Sequence, residues 1–395
     1  MCSLSDYFSL IMKVIIYEKN TEFFYPLTNL FPQFNLRIGM KSIAENIKYY
    51  FAGLKVDYIG RDIFKFKKLN TKKPSLYLSG QCIITKKIDF PKEEAKFLIG
   101  SKPVGFIKYK PPFPNSLKEI DKILKTIKRT HKLSGFILNN ICDLIKYNEP
   151  MMIHHFKMNT MKSKVIKEIS IIGNRKNVYV AKDAIIYNLV CIDVSEGPVY
   201  IDKGAVIRPF TTIIGPSYIG PGTIVDRAKI IKSSIGPVCR IGGEVEASIF
   251  QGYSNKCHEG FMGHSFIGEW VNLGALTTNS DLKNNYGIVR VSYGKKRIDS
   301  GMIKLGCFIG DHTKTGIGTL IPTGAVIGSF VNFFGGGMMP GFVPCFKWLT
   351  AEKQEDYKIE KAIAAAKTVM ERRNMKMSKQ YEDLIRISYK WRNLS

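Results

Sequence analysis

Between Ile201 and Ile231 an aliphatic side chain returns at every sixth position: Ile201, Ile207, Ile213, Ile219, Val225 and Ile231. Glycine, proline and small polar residues crowd the places between. Six is neither the period of a helix nor that of a strand. It is the period of a coiled parallel β-structure, in which each short strand turns one side chain inward and each turn of chain stacks on the one below. The spacing resumes in the same phase at Phe261, Ile267 and Leu273, and again at Ile303, Ile309, Thr315, Ile321 and Ile327. Three strands of about six residues close a coil of ~18, with strands ~4.8 Å apart, so the zone predicts about seven stacked coils.

The rest of the chain divides around this zone. Residues 12–156 alternate strand-like runs (Val14 to Tyr17, Ser75 to Leu78, Val104 to Tyr109) with helix-like ones (Ser42 to Tyr50, Ser116 to Leu133, Gly135 to Tyr147), which predicts a small α/β domain on a parallel sheet. Residues 157–177 read as a Lys-rich linker and 178–346 as the β-coil domain. Phe333 to Gly341 carries three consecutive glycines and predicts a backbone excursion. Residues 347–395 predict a C-terminal helix, whose apolar stripe through Ile359, Ala362, Ile363, Ala366, Val369 and Met370 should cap the stack. Residues 1–11 read as an upstream extension without a structural role.

The net charge of +26 comes from 59 basic and 33 acidic residues spread along the whole chain. No aromatic-interleaved basic block or nucleic-acid motif is present, so the charge fits a lysine-rich composition and leaves room for a phosphate-bearing small ligand. The eight cysteines show no C-x-x-C spacing, which argues against zinc and dithiol chemistry and for a reducing cytoplasm. No metal site is expected in the coil. No stretch reaches ~18 apolar residues and no signal-peptide pattern opens the chain, so a soluble cytoplasmic protein is expected.

The runs IGPSYIGPGTIV, GHSFIGEWVNLGALTT and IGDHTKTGIGTLIPTGAVIG resemble the left-handed parallel β-helix of hexapeptide-repeat acyltransferases. Within them the layout is similar to GlmU-type enzymes, which join a nucleotidyltransferase domain to an acetyltransferase. Gly252 to Phe261, Gly268 to Gly274 and the pair Arg372-Arg373 look like a divergent bacterial GlmU-like subgroup. The resemblance implies left-handedness, an N-terminal nucleotidyltransferase-like fold, acetyl-CoA as co-substrate, a sugar-phosphate or nucleotide-sugar substrate, and a homotrimer with acyl sites between prisms.

Acetyl transfer to an amine needs that amine neutral, and a base with a pKa near ~6.5 suits its proton. Of the six histidines, His258 falls on the family's catalytic base, and otherwise reads as a surface histidine in a polar turn. His264 is its rival, because Gly263-His264 copies the family's Gly-His pair. The same register implies Asn272 for the amino sugar and Gly274 and Ala275 for the acetyl-CoA thioester. Two departures stand out: Phe261 replaces a tyrosine, and Glu246 stands where a phosphate-binding lysine is expected. Arg227, Lys229 and Arg240 are the candidates for that phosphate. Asp281 to Ser300 breaks the rhythm as a loop, in which Lys283 could neutralise CoA phosphates.

The N-terminal domain departs further. Glu18 to Leu27, after the first strand, holds no glycine with which to approach a triphosphate, and Gln81 follows Gly80 where the family places a Mg²⁺-binding aspartate. Mg²⁺ is implied only if this domain is active. Arg37 and Gly39 are candidates for a nucleotide or sugar phosphate, or else for a strand-to-helix turn. The leading expectation is an acetyl-CoA-dependent N-acyltransferase. The alternatives are a sugar-1-phosphate nucleotidyltransferase with the β-helix as trimerisation stem, and a non-catalytic sugar-nucleotide scaffold.

Overall fold

The computed structural model describes residues 12–69, 72–158, 161–164, 169–293, 296–350 and 352–392, so the extension 1–11 and parts of the linker lie outside the described residues. The chain forms two compact units. One holds the chain to Phe24, Phe31–Leu36 and Lys41–Asn140; the other holds Tyr25–Leu30, Arg37–Met40 and everything from Ile141 onward.

The first unit is a six-stranded sheet in the order Lys55–Ile59, Lys13–Tyr17, Ser75–Ser79, Lys102–Lys108, Ala95–Ile99, Thr130–Lys132. It is mixed rather than parallel: Lys13–Tyr17 runs parallel to both neighbours, while Lys102–Lys108 is antiparallel to both of its own. The cause is a tight hairpin at Gly100-Ser101, where Ile99 faces Lys102 and Gly100 takes φ +60. The helix expected over Ser42 to Tyr50 forms at Ile43–Tyr50, with Ser42 and Glu45 closing a capping box. The helix expected over Ser116 to Leu133 stops at Thr126, because Ile127 turns extended and Thr130–Lys132 joins the sheet edge beside Lys96–Leu98. Gly135–Ile137 is also a strand, antiparallel to Cys82–Ile84, and the helix expected there forms later, at Cys142–Lys157.

The second unit is a parallel β-solenoid in which one wall alone stacks nine strands, from Val178–Val180 to Phe342–Val343. The nine inward positions of that wall run Val180, Ile201, Ile219, Ile235, Phe250, Ile267, Ile309, Ile327 and Val343, and all are buried. A fully buried aliphatic of this kind contributes ~1.5–3 kcal/mol by leaving water. The coils outnumber the expected seven because the wall begins at Val180 and ends at Val343, outside the regular six-residue runs, and because coils such as Ile219 to Ile235 and Ile235 to Phe250 close in fewer than ~18 residues. At Asp226-Arg227 a bulge shifts the register, so that Ile230 turns inward in place of Ile231. The same offset puts Met262, not Phe261, in the core, and Ile303, which follows the hairpin after Asp281, is 54% exposed.

Coil corners are made by single residues in the left-handed region. At one corner Tyr253, Trp270, His312, Phe330 and Phe346 all have φ between +56 and +60. Their rings form a ladder, with Tyr253–Trp270, His312–Phe330 and Phe330–Phe346 stacked at 4.5, 4.6 and 4.8 Å. Stacking across rungs offsets the backbone strain of a non-glycine αL residue. The glycine-rich stretch after Phe333 is no excursion but another coil: Gly335, Gly336 and Gly337 turn the corner with φ of 91, 72 and 85, and Gly337–Met338 pairs with Thr319-Leu320. The loop after Asp281 folds into a hairpin, Arg290–Tyr293 against Lys296–Asp299.

The C-terminal segment is two helices, Ile359–Glu371 and Lys379–Trp391, rather than one. Asn374 at φ +56 ends the first, and the Ser378 hydroxyl caps the second. The second helix packs on the aromatic ladder, with the Tyr381 hydroxyl 3.0 Å from His312 Nε2 and Tyr389 edge-on to Phe346. No described helix is long and apolar enough to cross a membrane.

Candidate active site

The aliphatic columns of the solenoid have polar exceptions, and these fall in neighbouring coils. Lys256 takes an inward position beside Ile241, and Asn279 takes one beside Ile321. Thr315 does the same beside Leu273. Lys256 is 2% exposed, and its ammonium donates to the carbonyls of Gly242 at 3.0 Å and His258 at 3.1 Å. Burial pushes its pKa down to about 8, against the pull of Glu259, Cys257 and Glu244. Gly243, at φ +66, leaves room for this arrangement, since a Cβ there would lie 2.8 Å from Lys256 Nζ and 3.0 Å from the His258 carbonyl.

His258 itself stands exposed on the turn that Lys256 holds from inside. Asn272 lies on the next coil, and its Oδ1 accepts from Asn255 Nδ2 at 3.2 Å. Asn255 in turn accepts from Arg373 at 2.7 Å. Arg240, Asn255, Asn272 and Lys314 occupy one outward column. Among the described residues the guanidinium of Arg240 bonds the carbonyls of Gly222 and Cys239 alone; burial and then the nearby Arg373 lower its pKa. Burial brings Lys314 down to about 8. Arg240, Lys314 and Arg373 thus gather positive charge beside Asn272 with no carboxylate bonded to them among the described residues. The sequence gives no sign of Lys314 in this column, nor of the bond from Arg373 to Asn255, which joins residues 118 apart in the chain.

The other candidates are placed differently. Arg227 is 75% exposed at the bulge, 3.7 Å from Asp226, and Lys229 is paired with Glu244 at 3.2 Å on the wall that carries Phe261. The N–H of Gly274 is spent on Thr315, on both the carbonyl at 3.2 Å and the hydroxyl at 3.1 Å, and a Cβ there would meet the Gly316 backbone at 2.6 Å. Ala275 accepts from Gly318 N–H at 2.8 Å, while its own N–H makes no hydrogen bond among the described residues. Lys283 donates to the Ile288 carbonyl and lines a cleft of about 690 Å³ with Asn284, Asn285, Leu320 and Met338.

Arg37 and Gly39 lie within the second unit, where they bond the coil and the helix Cys142–Lys157. Arg37 bonds Gln251 through its backbone N–H at 2.9 Å and the Met40 carbonyl through its guanidinium at 2.9 Å. Gly39 N–H donates to Asn148 Oδ1 at 2.8 Å, and its carbonyl accepts from the Ser234 hydroxyl. At φ +59, a Cβ on Gly39 would approach His155 and the Met151 backbone to 2.8 Å. His264, the rival base, sits on a different corner, with Nδ1 2.7 Å from Asp281 Oδ2. Burial opposes the Asp281 charge, but the bond from His264 and the charges of His264 and Lys304 hold its carboxyl below the usual range.

In the first unit Gln81 spends its amide on the Leu138 carbonyl at 2.8 Å and accepts from Asn20 at 3.3 Å. Glu18 is locked by Arg61 at 3.0 Å and by backbone N–H groups. A neutral amide and a fully satisfied carboxylate do not suit Mg²⁺, and no group of three metal-ligating side chains occurs among the described residues.

No family model matches the chain. It is 38% identical over 156 residues to a bifunctional sugar-1-phosphate nucleotidylyltransferase/acetyltransferase of Sulfurisphaera tokodaii, a match that covers 36% of this chain and 37% of that protein. It is 30% identical over 125 residues to the bifunctional protein GlmU of Methanocaldococcus jannaschii, covering 32% and 26%. The chain therefore spans between about a quarter and little more than a third of these relatives' length. Among solved structures, an Arabidopsis UDP-N-acetylglucosamine acyltransferase aligns at 12% identity with a TM-score of 0.23, over 51% of this chain and 79% of that one. Across the third of its length that aligns, this chain is similar to the bifunctional sugar-1-phosphate nucleotidylyltransferase/acetyltransferase and to the GlmU proteins.

Proposed function

We propose that the solenoid is an acetyl-CoA-dependent N-acyltransferase for an amino sugar phosphate or nucleotide-linked amino sugar, with His258 as general base. The observation that carries this reading is the exposed imidazole of His258 on a turn fixed from within by Lys256, with Asn272 on the next coil. The neutral amine attacks the thioester carbonyl, and His258 takes the amine proton as the new C–N bond forms. The carbonyl oxygen, gaining negative charge, accepts from the unspent N–H of Ala275. Collapse of the tetrahedral species breaks the C–S bond, and the imidazolium returns the proton to the departing thiolate.

In this account Arg240, Lys314 and Arg373 hold the sugar's phosphate in place of Arg227 and Lys229, whose charges are already paired with Asp226 and Glu244. Phe261 supplies no hydroxyl, so the sugar is held without that contact. Lys283 and the cleft it lines serve the CoA phosphates, and a second copy in a homotrimer closes the other side of the site. The spent amide of Gln81 speaks against nucleotidyl transfer by the first unit. The test is thiol release from acetyl-CoA with a panel of amino sugar phosphates and nucleotide amino sugars. Amine-dependent release supports the reading, and none with any amine overturns it.

A further inference from the structure

On the corner that carries Lys232, Ala247 and His264, the helix Cys142–Lys157 meets the coil. Between them is a cleft of about 620 Å³, walled by Ile145, Ile153, Ala247 and Met302 on its apolar side. Its polar wall is Lys146, Asn148, Glu149, Lys232 and His264. His258 belongs to another corner of the coil and does not line it.

Three features of this cleft are built rather than incidental. Asn148 is 2% exposed; its Oδ1 accepts from Gly39 N–H at 2.8 Å, but its Nδ2 has no hydrogen-bond partner among the described residues. A buried amide donor left unpaired is costly, by about the desolvation of that group. His264 is held at φ +46 by Asp281 on Nδ1. The preceding Gly263 is clamped at both ends by Asn279, which accepts from its N–H at 2.7 Å and donates to its carbonyl at 3.0 Å. A Cβ on Gly263 would sit 2.5 Å from the Asp281 carboxylate, so the glycine makes space for that contact. Lys232 is oriented by Glu196 at 2.7 Å and Glu149 at 3.7 Å.

The donors facing this cleft are therefore an amide, two ammonium groups and an oriented imidazole, with the Glu149 carboxylate as the acceptor. An oxyanion with three or more oxygens satisfies such a set, and an apolar ligand does not. We propose that this cleft binds the phosphate group of a small ligand, with the orphaned Nδ2 of Asn148 and the ammonium of Lys146 as its principal donors, and Glu149 accepting from a neighbouring hydroxyl.

The test is titration calorimetry of the full chain with inorganic phosphate and with glucosamine 1-phosphate, on wild type, Asn148→Asp, Lys146→Ala and Arg240→Ala. Asn148→Asp keeps the acceptor that Gly39 needs while replacing the donor by a charge, and Lys146→Ala alters only an exposed side chain. Loss of one binding event by at least about tenfold in both, with that event intact in Arg240→Ala, is the expected result. Tighter binding of the sugar phosphate than of phosphate gives the rest of the cleft to a sugar ring; equal binding makes the free ion the ligand. No saturable binding by wild type, or binding that only Arg240→Ala weakens, overturns the proposal.

Discussion

The ammonium of Lys256, buried inside the solenoid, donates to the backbone carbonyl of His258 at 3.1 Å. A lysine in an aliphatic column is costly, and burial drives its pKa down to about 8. Its position makes sense as a support that fixes the turn presenting the exposed imidazole.

Lys256→Met fills the same space without a charge. Thermal unfolding should show stability unchanged or raised, by up to ~1–4 kcal/mol, because a buried ion is replaced by an apolar group. Acyl transfer should fall by about tenfold or more, mainly in kcat, because the turn loses its inner tether. Full activity in this variant would remove Lys256 from the account.

Asn272→Ala and Arg373→Ala should each raise KM for the amino sugar phosphate by about tenfold, the effect of losing one hydrogen bond to a charged group. Initial-rate kinetics over both substrates check this. Arg227→Ala, whose charge is paired with Asp226 on the surface, should change KM by less than about twofold.

Burial raises the pKa of Glu269 to about 8, helped by Asp311 and opposed by Arg37, and raises that of Asp311 to about 7. Both folded values lie above the ordinary 4.5 and 3.8. The folded state therefore binds these protons more tightly, so their contribution is complete at low pH and is lost as pH rises toward about 8. Urea midpoints should fall between pH 5 and pH 8, and Asp311→Asn should flatten that slope. A midpoint that rises over this window would contradict the assignment.

Gly243→Ala should damage the site more than a generic surface change. At φ +66 the alanine is strained, and its Cβ presses on Lys256 Nζ and the His258 carbonyl. A loss of ~1–3 kcal/mol in stability, read from denaturant unfolding, should accompany reduced turnover.

The solenoid was legible because its core repeats one chemical type at one spacing, as the buried Ile201, Ile207, Ile213, Ile219 and Val225 show. The register after Arg227 was not, because a bulge moves the inward position by one residue and both Ile230 and Ile231 are apolar. The mixed sheet was signalled by Gly100-Ser101, a hairpin pair that strand alternation alone overlooks. At the candidate site His258 and Asn272 could be read from register. The role of Arg373 could not, since its bond to Asn255 spans 118 residues of chain. Lys256 left no signal, since the six-residue spacing through Phe261 points to Asn255 and only the shifted register turns Lys256 inward.

The most direct test of the central claim is the acyl-transfer rate of His258→Ala at saturating acetyl-CoA and amine, with folding verified by its unfolding curve. The account predicts a fall in kcat of ~10²-fold or more without loss of the fold. Turnover within a few-fold of wild type would contradict it and remove His258 as the base.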